Sequence, residues 1–224
     1  MITAEQKPLA EIYDVVSNYD KILILGCGSC VTVCMAGGEK EVGILASQLA
    51  LAAKEHNKTI SIDEHTITRQ CDREFYDEET AKKIAAADAV ISIACGVGVQ
   101  FCIECFPDAI VSPGLDTKFY GTTIEQGVWS ERCAGCGACI LEATGGVCPI
   151  VRCAKNLLNG PCGGSMDGKC EVNSEADCAW QLIQDRMKML GRVDELREIR
   201  EPKDWSKDRG GGPRIIVRED MTLS

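Results

Sequence analysis

The residues with the most chemistry in them are cysteines, and their spacing is the first clue to what they do. Cys27-x2-Cys30-x3-Cys34 sits in a glycine-rich stretch, Gly26-Cys27-Gly28-Ser29-Cys30. A Cys-x2-Cys turn brings two thiolates to one metal centre, and a third thiolate close behind approaches the spacing of [4Fe–4S] sites. Gly26 and Gly28 would let the backbone come close to the sulfides and donate N–H groups to them. The fourth ligand falls to Cys71 or Cys95. Arg69 favours Cys71, because it adds positive charge beside an anionic cluster. The competing structural reading is a set of buried free thiols under a dinucleotide-binding loop. Gly26-x-Gly28 fits part of a G-x-G-x-x-G fingerprint, but Val31 stands at the third glycine and two cysteines interrupt the loop. Gly96-x-Gly98 is a weaker match still, and neither carries a nucleotide site alone.

A second run reads Cys133-x2-Cys136-x2-Cys139-x8-Cys148-Pro149. Two consecutive x2 gaps and a closing Cys-Pro are ferredoxin grammar, although the last gap there is three residues. The first three thiols are thus the firmer ligands and the fourth is open. The third run, Cys153-x8-Cys162-x7-Cys170-x7-Cys178, matches no local motif. The eight thiols between 133 and 178 suffice for two four-cysteine centres, or for one cluster plus structural thiols. Two centres are the preferred reading, with Cys178 as the bystander because it falls in a helical stretch. Cys102-x2-Cys105 reads as core packing in a crossover helix, with a redox dithiol as the alternative. His56 and His65 lie far from these motifs in sequence and read as surface residues. No nucleophile elbow, Walker loop or carboxylate pair of diagnostic spacing accompanies them.

Composition narrows the setting. There are 15 cysteines against 2 histidines. An odd number excludes complete disulfide pairing, and a chain of 224 residues is not a short secreted disulfide scaffold. Zinc sites often mix Cys with His, whereas iron–sulfur clusters are usually held by four thiolates, so the scarcity of histidine favours the latter. The net charge of −10 lacks the basic footprint of a general nucleic-acid binder. No apolar run is long enough to span a membrane, and the start, MITAEQKP, lacks the order of a signal peptide. The expected setting is cytoplasmic.

The elements that must position these thiols alternate between strand and helix. Apolar runs at 21–25 (KILIL), 59–68, 89–94 (AVISIA) and 109–112 read as strands. Between them, Val42, Leu45, Ala46, Leu49, Ala52 and Ala53 recur at helical spacing, 77–87 is a helix with an acidic first turn, and a third helical stretch reaches Phe106. This predicts an α/β fold: an open parallel sheet, flavodoxin- or Rossmann-like, with helices on both faces. Ligands of such sheets sit at the carboxyl ends of the strands, where Cys27, Cys71 and Cys95 fall. Residues 113–128 read as a Pro/Gly/Thr connection. The expected division is an α/β domain over 1–128, a small irregular Cys-rich metal-binding domain over 129–200 that closes on a helix, and an irregular tail over 201–224. The closing helix carries Ala176, Ala179, Trp180, Ile183, Met187 and Leu190 on one stripe and stops at Gly191. In the tail, Arg214-Ile215-Ile216-Val217-Arg218 reads either as a docking peptide or as a frayed terminus.

These residues resemble a known family. Residues 26–42 (GCGSCVTVCMAGGEKEV), 69–71 (RQC), 94–100 (ACGVGVQ), 131–137 (ERCAGCG) and 157–164 (LLNGPCGG) are similar to the MetV-type small, cysteine-rich subunit of bacterial methylenetetrahydrofolate reductase. The resemblance covers about residues 20–200. It implies a non-catalytic redox subunit that binds the flavoprotein large subunit, MetF-type, which reduces 5,10-methylenetetrahydrofolate to 5-methyltetrahydrofolate in one-carbon metabolism, in the methyl branch of the Wood–Ljungdahl route. It implies electrons delivered by ferredoxin or a larger electron-transfer assembly, passed through two or three [4Fe–4S] clusters to a flavin on the partner, with zinc an option at one site. The candidate ligands are Cys27, Cys30, Cys34, Cys71, Cys95, Cys133, Cys136, Cys139, Cys148, Cys153, Cys162 and Cys170. The alternative is a structural zinc scaffold of the same complex. A stand-alone thiol or nucleotide-dependent oxidoreductase ranks last, because the sequence offers it no substrate pocket.

Overall fold

The computed structural model describes residues 1–221 and divides into two compact units, Met1–Ser130 and Glu131–Ser224. In the first unit, β1 (Ile2–Gln6) and α1 (Leu9–Val16) precede β2 (Lys21–Cys27), α2 (Cys30–Val33), α3 (Glu39–Glu55) and β3 (Ser61–Ile67). Then come α4 (Glu78–Ala86), β4 (Ala89–Ile93), α5 (Gly96–Cys105), β5 (Val111–Pro113), β6 (Leu115–Glu125) and β7 (Val128–Cys133). The chain passes into the second unit within β7. That unit holds α6 (Pro149–Arg152) and α7 (Ala179–Met189).

The α/β class holds. The four expected strands form one parallel sheet of order β3-β2-β4-β5. Both faces of β2 are buried, which is why KILIL is a continuous apolar run rather than an alternating one. Ile22 and Ile24 pack with Val42, Leu45 and Leu49 of α3 and with α1. Leu23 and Leu25 face the other way, into a core with Ile84 of α4 and Cys102 of α5. Asp77 caps α4 by accepting from the Thr80 N–H at 2.8 Å. His65 is not a free surface residue. Its Nε2 meets Thr80 Oγ1 at 2.9 Å, tying β3 to α4, whereas His56 is exposed and stacks on Tyr13.

One expectation is overturned. The stretch 113–128 is not a bare connection, because β6 occupies most of it and pairs antiparallel with β1 in a second sheet of order β1-β6-β7. Of β6, only Leu115 is buried, so the strand shows no apolar signature. Its pairing is written in residues more than a hundred positions away, such as Ile2 opposite Tyr120.

The second unit is largely irregular. Its core is Trp180, Ile183 and Met187 of α7, packed against Val147, Cys153, Leu157, Cys178 and Leu196. The expected stripe is half right. Ala179, Trp180, Ile183 and Met187 are buried, but Ala176 precedes the helix and Leu190 is exposed. The helix stops at Gly191 as the sequence requires, with φ +68° and its N–H bonded to Lys188 O. Among the described residues no helix is long and apolar enough to cross a membrane.

Candidate functional site

All fifteen cysteines are free thiols. At the carboxyl edge of the parallel sheet, Cys27 ends β2, Cys71 follows β3 and Cys95 caps the start of α5. Burial pushes the Cys71 thiol up from its ordinary value, and the neighbouring Cys95 and Cys27 push it further, while Arg69 acts weakly in the opposite sense. Cys71 is exposed as a residue. Arg69 is partly engaged elsewhere, with Asp72 at 3.4 Å and over the Phe75 ring.

The loop that carries Cys30 is held close to the sheet. Cys27 N–H donates to Gly37 O at 2.8 Å, and Ser29 Oγ donates to Thr68 O at 2.7 Å. A Cβ at Gly37 would stand 1.8 Å from Ile93 O, so only glycine lets this loop pass the end of β4. The Gly28 N–H, expected to face sulfur, instead donates to Ile67 O at 2.8 Å. Cys34 turns into the core. Its thiol lies 3.6 Å from Ala4 O and 3.5 Å from Val31 O, and burial raises its pKa. The carboxyl edge of the sheet thus carries Cys27, Cys71 and Cys95, with Cys30 at the start of α2, and Cys34 lies against β1.

In the second unit, Cys153, Cys162, Cys170 and Cys178 line one small cavity of about 20 Å³, walled by Trp180, Lys155 and Glu171. Cys178 is the residue sequence reasoning left out. It stands at the N-cap of α7, not within the helix, which frees its side chain for this cavity. Lys155 and Glu171 form an ion pair at the rim. The Gly164 N–H donates to Cys162 Sγ at 3.4 Å. Backbone N–H groups of Asn173, Val172 and Ala154, with Lys155 nearby, lower the Cys170 pKa and favour its thiolate. Trp180 Nε1 donates to Leu157 O at 3.0 Å, fastening the segment between Cys153 and Cys162 to the helix that begins after Cys178.

The other run, Cys133 to Cys148, is more open. Cys133 and Cys139 are exposed, and Cys136 and Cys148 are half-buried. The Gly135 N–H donates to Cys133 Sγ at 3.3 Å. On the far side of the loop its carbonyls face the tail. Gly135 O accepts from Arg214 at 3.2 Å, and Ala138 O accepts from Lys203. The tail segment 203–214 therefore lies along this loop, whereas Ile215, Ile216 and Val217 are exposed.

Comparison with protein families adds the relationship. Residues 112–206 match the family described as methylene-tetrahydrofolate reductase C terminal. The matched segment is related to methylenetetrahydrofolate reductase, and it contains all eight cysteines of the second and third runs. Comparison with curated proteins and with solved structures returned no match.

The donor chemistry fits a thiolate-bound metal. The candidate ligands are sulfur alone, Cys133 and Cys162 among them accept backbone N–H bonds of the kind that orient and tune metal thiolates, and four line one cavity. Among the described residues no three ligating side chains stand in a closed metal-binding group. The four thiols of the third run surround a common space of roughly one water's volume. Cys102 is fully buried beside Tyr76, which agrees with a packing role. Cys105, on the same helix, is half-buried.

Proposed function

We propose that this chain is the electron-transfer subunit of a methylenetetrahydrofolate reductase complex, with the flavoprotein partner carrying out the reduction of the folate. The observation that supports the reading is the concentration of eight free thiols, the Cys133-x2-Cys136-x2-Cys139 run among them, inside the segment related to that reductase. Iron–sulfur centres bound by these thiolates would supply one-electron transfer, which suits a flavin neighbour able to accept electrons singly or in pairs. The chain's own residues hold and tune. Cys133, Cys136, Cys139 and Cys148 form the first set, the four cavity thiols the second, and Cys27, Cys30, Cys71 and Cys95 a third at the sheet edge. Gly135 and Gly164 donate N–H bonds to ligand sulfur, which lowers its negative charge. Ferredoxin or a larger assembly would be the donor.

A second reading is favoured at one set. Four thiols lining one cavity are also a complete ligand set for tetrahedral zinc, which would make that part of the chain a structural element beside a redox one. The test is iron, zinc and acid-labile sulfide on chain purified without oxygen. Eight or more irons with matching sulfide support the relay at two centres. Four irons with one zinc support the mixed arrangement. Zinc without sulfide makes the chain a scaffold and overturns the relay.

A further inference from the structure

Gln70 is completely buried, an unusual place for a glutamine, and it stands next to Cys71. Its Nε2 donates to Leu25 O at 2.8 Å and to Gly26 O at 3.0 Å, and its Oε1 accepts from Ser92 Oγ at 2.7 Å. These partners fix the orientation of the amide, because its nitrogen meets only carbonyls and its oxygen meets a hydroxyl. Its backbone carbonyl accepts from Tyr76 Oη at 2.8 Å. On its remaining side it packs so closely on α5 that a Cβ at Gly98 would come within 3.0 Å of Gln70 Cβ and 2.9 Å of Ala94 Cβ.

Apart from the Tyr76 bond, each of these contacts is made by a segment that carries a sheet-edge thiol. Leu25 and Gly26 lead directly into Cys27, Ser92 and Gly98 flank Cys95 at three residues on either side, and Cys71 follows Gln70 itself. The ladder between β2 and β4 ends at Gly26 and Ile93, so the glutamine amide bridges the two strands where their own pairing runs out. A buried amide bonded in this way holds its neighbours in one arrangement, and an apolar replacement would remove all three side-chain bonds.

We propose that Gln70 is the positioning residue of the sheet-edge centre: its side chain fixes Cys27, Cys71 and Cys95 in a single arrangement before metal arrives. The proposal rests on the reading that these thiols bind metal. Removing such a support costs a metal site about 10–100-fold in affinity.

The test uses the full chain, without oxygen, titrated with Co²⁺ alone and followed by its thiolate-to-cobalt absorption. The equivalent that disappears in Cys27→Ser is the sheet-edge site. In Gln70→Met, which keeps length and packing but no hydrogen bonds, that equivalent should weaken about 10–100-fold and its visible spectrum should shift, while the remaining equivalents stay unchanged. Ser92→Ala, a milder change that leaves β4 in place, should give a smaller loss in the same equivalent and serves if Gln70→Met does not fold. Wild-type affinity and spectrum in both variants would overturn the proposal, and so would a lowered melting temperature with unchanged cobalt binding, because Gln70 would then support only the fold. If no cobalt equivalent of the wild-type chain depends on Cys27, the sheet-edge metal reading itself fails and the proposal falls with it.

Discussion

Trp180 joins the core of the second unit to its four-thiol cavity, so Trp180→Phe perturbs both in a calculable way. The indole is 7% exposed and its N–H reaches Leu157 O at 3.0 Å. Losing that bond costs about 1 kcal/mol, at the lower end because Leu157 is only half-buried and water can reach part of it. Shrinking indole to phenyl in a packed site costs about 1 kcal/mol more. Together these give about 2 kcal/mol. For a unit of this size each kcal/mol moves the transition by about 4–8 °C, so the second unit should melt about 8–16 °C lower. Scanning calorimetry of the metal-loaded chain reads the shift, and release of metal into excess chelator should be faster by a similar free energy, about 30-fold. Trp205→Phe is the control, because Trp205 is half-exposed and should change neither quantity. A Trp180→Phe transition within about 2 °C of wild type, with unchanged metal release, would refute the role assigned to this side chain.

Other outcomes follow from the same geometry. Chelation under reducing conditions should abolish the calorimetric transition of the second unit and spare that of the first, because the cluster of Trp180, Ile183 and Met187 is a small core without bound metal. Cys178→Ser should remove metal from the four-thiol cavity while Cys102→Ser should leave the metal content unchanged, both read by elemental analysis. Gly37→Ala should destabilise the first unit by about 1–3 kcal/mol, seen in denaturant titration, since the new methyl group meets the backbone of β4 rather than a movable side chain. Burial holds the Cys102 pKa above its ordinary 9.0, with Cys105 adding to the shift and the Tyr76 bond opposing it. A group raised in the folded state contributes stability that is present below its unfolded pKa and lost as the pH rises through the folded one. Stability of the first unit should therefore fall above about pH 9, and Cys102→Ala should flatten that decline.

Much of this was legible in the sequence. The parallel sheet was, because strands buried on both faces leave uninterrupted apolar runs such as KILIL and AVISIA, and because the carboxyl ends of those strands are marked by Cys27, Cys71 and Cys95. The antiparallel sheet was not. β6 exposes most of its side chains, so nothing local distinguishes LDTKFYGTTIE from a loop, and its partner β1 lies at the other end of the unit. That unseen strand also bears on Cys34. Spacing alone groups it with Cys27 and Cys30, but β1 brings Ala4 O to its thiol. Cys178 was passed over for the opposite reason. A helical stripe can be read one turn too far, and here the helix begins one residue later, leaving Cys178 as its cap. The repeated x7 gaps between Cys162, Cys170 and Cys178 were the available signal. Gln70 left no signal at all, since a glutamine before a cysteine reads as a surface residue until three segments are folded around it.

The most direct test of the electron-transfer reading is rapid mixing of the dithionite-reduced chain, freed of excess reductant, with the oxidised flavoprotein partner while flavin absorption is followed. The account predicts that the flavin is reduced in proportion to the reducing equivalents held by the chain, and that Cys133→Ser or Cys136→Ser abolishes this while the partner keeps its flavin. Flavin that stays oxidised on mixing with a fully reduced, fully metal-loaded wild-type chain would contradict it.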